Sequence, residues 1–154
     1  MNTDTALKTA GDLLIGWTIE TATPELNRLD AVVDSANLLA AVKALATSHW
    51  GYLAGITGLD LGVEARQIEV LYHFCSGKAV VTLRVRTMRD HADVPSIASI
   101  LPSANFYERE LHEMMGVEIV GLTNPNHLFL PDDWPDGVYP LRKDASLGLT
   151  EGKP

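Results

Sequence analysis

Apolar and polar residues alternate most regularly in residues 67–87, where Ile68, Val70, Tyr72 and Phe74 share one face of an expected strand. Val81, Leu83 and Val85 share one face of the next. A two-residue turn at Gly77-Lys78, with glycine first as a type II′ turn requires, sets Phe74 against Val81, Tyr72 against Leu83 and Val70 against Val85. A three-residue turn would oppose Val70 with Arg84 and spoil the apolar face, so register favours the shorter turn. The other face then carries Glu69 against Arg86 and His73 against Thr82, polar enough to meet water or a polar partner.

Helical spacing of Leu7, Ala10, Leu13, Leu14 and Trp17 behind Asp4 predicts an amphipathic helix over residues 4–17. Residues 17–33, rich in Thr, Ile and Val and interrupted by Pro24 and Asn27, read as two short strands. Asp34 is placed to cap a second helix with Leu38, Val42 and Leu45 on one face. From Trp50 the period is two, with Trp50, Tyr52, Ala54 and Ile56 on one side and small residues predicting close packing on the other. A polar loop spans residues 88–95, and Pro102 delays a third helix to Ser103 or Ala104, ending at Gly116. A short apolar piece and an extended, proline-punctuated tail follow.

At 154 residues, with 46% apolar and 21% charged positions, the chain reads as one soluble globular domain. Its net charge of -8 repels phosphate backbones and argues against a nucleic-acid partner. The only cysteine, Cys75, excludes an internal disulfide and suits a reducing compartment. No apolar run reaches the roughly 20 residues that span a bilayer, and the first residues lack a signal peptide's basic region. A cytoplasmic location is expected, with membrane contact only through a partner.

Residues 130–144, LPDDWPDGVYPLRKD, admit three readings: a metal loop, a catalytic carboxylate cluster, or an arm that lies on something else. A calcium loop fails on spacing, because counting from Asp132 puts Trp134 at position 3 and Lys143 at position 12. The five histidines fall in different elements, and only His112 has a ligand-type helical neighbour, Glu108. Cys75 and His73 lack the third group a cysteine nucleophile needs. In the third helix, Phe106, Tyr107, Leu111, Met114 and Met115 form an apolar arc, with Glu108, Arg109, His112 and Glu113 opposite. Glu110 falls inside the apolar arc and must find a partner or a proton. One reading makes it a general acid, with Glu113 or Asp133 as its partner; the favoured one has the tail fold back so that Arg142 or Arg109 meets it.

The blocks YERELHEMMGVEIVG and LFLPDDWPDGVYPLRKD resemble the hydrophilic thirty-kilodalton subunit of NADH–quinone oxidoreductase (respiratory complex I). They equally resemble the small subunit of membrane-bound, energy-converting NiFe hydrogenases. The match rests on Glu108, Arg109, Glu110, Glu113, Gly116, Leu130, Pro131, Asp132, Asp133, Trp134, Pro140, Leu141, Arg142, Lys143 and Asp144. It extends loosely upstream through ITGLD, VLYHF and LRVRT to about Val32. His112-Glu113-Met114-Met115 stands where complex I members usually have aromatic-Asp-Leu-Phe, and PDGVY (residues 135–139) is an insertion that looks more like the hydrogenase branch.

The resemblance implies an α+β, two-layer fold with a mixed β-sheet, helices on one face and an extended C-terminal arm. It divides the chain into a core, residues 1–121, and an arm, residues 122–154, that embraces a partner through Trp134, Tyr139, Arg142 and their neighbours. It further implies a cofactor-free assembly subunit without catalytic residues, packed against the large catalytic subunit and iron–sulfur subunits at the cytoplasmic face of the membrane. Iron–sulfur clusters and a NiFe centre, or flavin and quinone, would lie in those partners. An energy-converting hydrogenase is the first expectation and complex I the alternative, ahead of an independent small enzyme or a free-standing binding module. An arm that gains its order from a neighbour would be protease-sensitive near residues 122–154 in the lone chain.

Overall fold

The computed structural model describes residues 2–146. Helix α1 (Thr3–Leu14) is followed by strands β1 (Thr18–Ala22) and β2 (Arg28–Val33), then helix α2 (Leu38–Thr47). Strands β3 (Tyr52–Asp60), β4 (Gln67–Ser76) and β5 (Ala79–Met88) come next, then β6 (Asp93–Pro95), helix α3 (Ala104–Met115) and β7 (Glu118–Val120). Five strands form one sheet in the order β1-β2-β5-β4-β3, parallel only between β2 and β5. The fold is thus α+β with a mixed sheet, as the resemblance implies.

The β4–β5 hairpin has the expected register, from Ser76 opposite Ala79 to Val70 opposite Val85. Gly77 has φ +59 while Lys78 does not enter the left-handed region, the combination that separates type II′ from type I′. Ile68, Val70, Tyr72, Phe74, Val81, Leu83 and Val85 are all buried; α1 and α3 pack on the sheet, and α2 packs beside α1 in the same core. On the open face Glu69 is buried all the same, held by Arg86 at 2.8 Å and by Arg84, which also reaches Asp30. Burial pushes the Glu69 carboxyl up, but the hydrogen bonds from Arg86 and Arg84 outweigh it and leave it below the ordinary value. His73 lies between the hydroxyls of Thr82 and Thr57, each 3.2 Å from a ring nitrogen.

Elsewhere the pattern misplaced several boundaries. Asn2, not Asp4, caps α1, accepting from the Asp4 amide, and the helix closes at Leu14 with Trp17 already in a turn. Asp34 precedes a single 3-10 turn and makes no side-chain cap. Strand β3 is irregular between Leu53 and Gly55, so Leu53 and Ile56 both face the core while Tyr52 and Ala54 are exposed. One extra residue shifts the phase of the alternation. Trp50 is buried through another device, its Nε1–H donating 2.8 Å to the Ala6 carbonyl of α1. The segment read as a polar loop contains β6, which pairs in parallel with β7 as a second, two-stranded sheet. Three residues with a terminal proline carry too little alternation to reveal a strand.

The close packing expected on β3 is localised at Gly58. A Cβ there would meet Met115 Cγ at 2.7 Å and Leu111 Cδ1 at 2.8 Å, so α3 crosses the strand at this glycine. A Cβ at Gly55 would have nothing within 4 Å. Gly58→Val is expected to destabilise the fold by about 1–3 kcal/mol through overpacking, whereas Gly55→Ala should stay within about 0.5 kcal/mol; urea denaturation midpoints of the two variants provide the check.

Candidate functional site

Helix α3 leaves its last carbonyls without intrahelical partners, as every helix does. Gly116 closes it in the left-handed conformation at φ +64, its N–H donating to His112 O. The next carbonyls are satisfied by the tail. The Leu141 amide donates to Met114 O at 3.0 Å, and Arg142 donates from Nε to Met115 O at 2.7 Å and from Nη2 to Gly116 O at 3.3 Å. A guanidinium is well suited to the negative end of the helix dipole. The same guanidinium stacks on the Tyr139 ring, 4.8 Å from its centre. That ring lies where a Cβ on residue 116 would fall, 2.4 Å from two of its carbons. Gly116 is therefore required twice, by its dihedral and by Tyr139.

The start of the tail is held by the other polar residues of α3. Arg109 donates to Asn126 O at 3.0 and 3.1 Å and to His127 O at 2.9 Å. Glu113, one turn on and 5% exposed, accepts from the amides of Leu128 and Phe129 at 2.8 and 2.9 Å and, more weakly, from Leu130. Glu108, 1% exposed, accepts from the Ile97 amide at 2.6 Å and from Ser96 Oγ at 2.7 Å, tying α3 to the chain before it. Each of these side chains binds backbone or a nearby hydroxyl.

The expected partner of Glu110 is not found. Arg109 and Arg142 are both engaged by main-chain carbonyls, and Glu110 makes no hydrogen bond or ion pair with any described residue. The error lies in treating the helix as having one buried side. It has two, one against the sheet and one against loops whose amides can satisfy carboxylates, so Glu108 and Glu113 are buried while Glu110 is half-buried and Phe106 is 61% exposed. The acid–base reading has no support in this geometry either: Glu113 is occupied by amides, and Asp133 is exposed.

A second anchor was missed in the sequence. Asp60, ending β3, and Arg89, after β5, form a buried bidentate ion pair with both contacts at 2.9 Å. The Lys143 amide donates to Asp60 Oδ2 at 2.9 Å, the Gly62 amide to Oδ1 at 2.9 Å, and Asp144 accepts from Arg89 Nη2, the nitrogen that also donates to Asp60. The hydrogen bonds from Arg89 hold the Asp60 carboxyl well below its ordinary value against the pull of burial. A signal existed: counting from Ile56, Asp60 has core-facing parity, which demands a partner.

Between the two anchors the tail forms a surface loop. Trp134 is half-buried, its amide donating to Pro131 O at 3.0 Å and its Nε1–H to Val138 O at 2.8 Å. Leu130 and Pro140 are half-buried; Pro131, Asp132, Asp133, Asp136, Phe129, Leu141 and the Lys143 side chain are exposed. Tyr139, expected to anchor a partner, is used within the chain. Among the described residues no three His, Cys, Asp or Glu side chains gather to hold a metal, and no helix is long and apolar enough to cross a membrane.

Comparison with known proteins places this geometry. The family model described as "Respiratory-chain NADH dehydrogenase, 30 Kd subunit" matches residues 31–151, from β2 through both anchors. The chain belongs to that family. The C subunit of the NADH-quinone oxidoreductase of Moorella thermoacetica is 37% identical over 124 residues, covering 79% of this chain and 81% of that protein. Formate hydrogenlyase subunit 5 of Escherichia coli is 44% identical over 68 residues, 44% of this chain but 12% of that longer protein. A chain of the archaeal membrane-bound sulfane sulfur reductase shares the fold, with TM-score 0.77 at 23% identity over 93% of this chain and 86% of that one. As a family member, this chain is a subunit of a complex I-like or hydrogenase-like membrane assembly and works beside other subunits.

Two outcomes follow from the buried pair. Arg89→Met leaves Asp60 buried without its partner and is expected to cost about 3–5 kcal/mol, read from denaturation midpoints. Because the folded-state carboxyl of Asp60 titrates below its unfolded value, its stabilisation is complete above about pH 4 and lost as pH falls further. Melting temperatures of the parent chain should therefore drop on acidification from pH 5 towards 2, and Asp60→Asn should flatten that drop.

Proposed function

We propose that this chain is the thirty-kilodalton-type assembly component of a complex I-like NADH–quinone oxidoreductase, without a cofactor of its own, which presents the loop of residues 126–140 to the large catalytic subunit. The observation that carries the reading is the loop's closure on its own core at both ends, by Arg109 and Glu113 on one side and by Arg142 and Asp60–Arg89 on the other. Such closure removes the conformational entropy of the segment before a partner arrives, and so favours association. What remains outward is Phe129, 65% exposed, among Asp132, Asp133 and Asp136. An exposed aromatic followed along the loop by exposed carboxylates supplies an anchor with orienting charge. In this reading flavin, iron–sulfur clusters and quinone are held by neighbouring subunits, and the assembly lies on the cytoplasmic face of the membrane.

NADH-quinone oxidoreductase relatives matching about four-fifths of the chain favour complex I over the hydrogenase branch that the PDGVY insertion suggests. The second reading keeps a specific support: 44% identity to formate hydrogenlyase subunit 5 over 68 residues, above the 37% identity to the Moorella protein. Isolation of the native assembly separates them. Flavin and NADH oxidation travelling with the chain support complex I; nickel and hydrogen turnover support the hydrogenase; activity of the lone polypeptide sinks both.

Phe129→Asp should reduce recovery of the companion subunits by tenfold or more, consistent with loss of about 2 kcal/mol at an interface anchor, while the melting temperature of the isolated chain stays unchanged. Undiminished recovery in a pull-down of the variant would remove the loop from the interface.

A further inference from the structure

Glu110 remains without a role after the fold and the arm are accounted for, and its surroundings supply one. It lines a groove of about 100 Å³ with Met114 and Leu141 on one side and Ile56 to Gly58 of β3 on the other. Strand β3 is an edge of the five-stranded sheet, paired only with β4. The Leu61 amide donates to Gln67 O, which fixes the parity of that ladder. Leu59 and Thr57 turn their backbone groups towards β4, and Ile56 and Gly58, which line the groove, turn theirs away from β4 at the open edge. No described segment pairs with them.

Edges of this kind are usually blunted by charge, proline or a covering element. The nine residues of β3 contain neither lysine nor proline, and their only charge, Asp60, is buried in its pair with Arg89. Alongside the edge the exposed side of α3 is apolar at Phe106 and Met114, four residues either side of Glu110. Leu141, 59% exposed, continues that surface from the arm.

We infer that this edge takes an extended segment of a partner subunit as a sixth strand beside β3, and that the segment carries a lysine or arginine opposite Glu110. The backbone groups of Ile56 and Gly58 supply the ladder, Phe106, Met114 and Leu141 the apolar wall, and Glu110 the charge that selects register. A second copy of this chain fits poorly, because pairing two such edges would bring together molecules that each carry a net charge of -8. The inference rests on the subunit reading above, and it concerns a surface separate from the outward loop around Phe129.

The test compares amide exchange of the full chain, alone and in its isolated native assembly, with association measured for Glu110→Lys and Glu110→Gln. Exchange over residues 52–60 should slow at least tenfold in the assembly. Glu110→Lys should weaken association at least tenfold and Glu110→Gln less, with the isolated variants melting as the parent does, since Glu110 has no internal partner among the described residues. Unchanged exchange over residues 52–60 with slowed exchange over residues 126–140 would overturn strand addition and leave the subunit reading standing. Slowing over residues 52–60 that grows with the concentration of the lone chain would overturn it in favour of self-pairing. Slowing in the assembly with no Glu110→Lys defect would overturn the basic partner residue. A chain recovered from cells without companions would bring down the subunit reading and this inference together.

Discussion

Removing two opposite charges from water is costly, and their mutual attraction offsets that cost only when the remaining hydrogen-bonding capacity is filled. The Asp60–Arg89 pair draws further hydrogen bonds from the tail: the Lys143 amide donates to Asp60, and Asp144 accepts from Arg89. Core and tail are thus conditional on each other. Without the tail, Asp60 would lose one of its two amide donors and Arg89 one of its two carboxylates. The loop between Leu130 and Pro140 is held by this constraint at one end and by α3 at the other.

Three charged residues of α3, all but Glu110, share a mode of action with Arg142 of the tail. Glu108 and Glu113 accept from amides, while Arg109 and Arg142 donate to carbonyls, so each reads the path of the backbone. A guanidinium suits this because its planar fork reaches two carbonyls at once, as Arg109 and Arg142 both do. Recognition of main chain also explains how a tail with exposed carboxylates at Asp132, Asp133 and Asp136 is held without ion pairs along its apex. Its shape is set by residues that face inward, which leaves the outward residues available for a neighbour.

Where local geometry decides the outcome, the sequence was legible. Strand period and turn length determined the β4–β5 register, and a proline and a glycine bounded α3. What could not be read was tertiary. The extra residue at Ala54 rephases β3, and nothing local announces it. The burial of Glu108 and Glu113 depends on amides at positions 97 and 128–130, which no helical wheel contains. Asp60 was detectable as a carboxylate with core parity, yet its partners Arg89 and Lys143 lie 29 and 83 positions away. The tail's two charged blocks were recognised by resemblance, but the resemblance did not say that several of those residues face the chain itself.

The distribution of satisfied and unsatisfied groups separates the internal work of this subunit from its external work. Of the three charges in the Glu108-Arg109-Glu110 run, the first is bound to the chain before the helix and the second to the chain after it. The third is left beside a free strand edge. A helix whose flanks are locked on both sides is a rigid mount, and a group on a rigid mount meets a partner with little loss of freedom. Leu141 joins the two regions, since its amide caps α3 while its side chain lines the groove. One residue thus belongs to both surfaces, and an assembly that engaged both would hold the arm and the groove wall together.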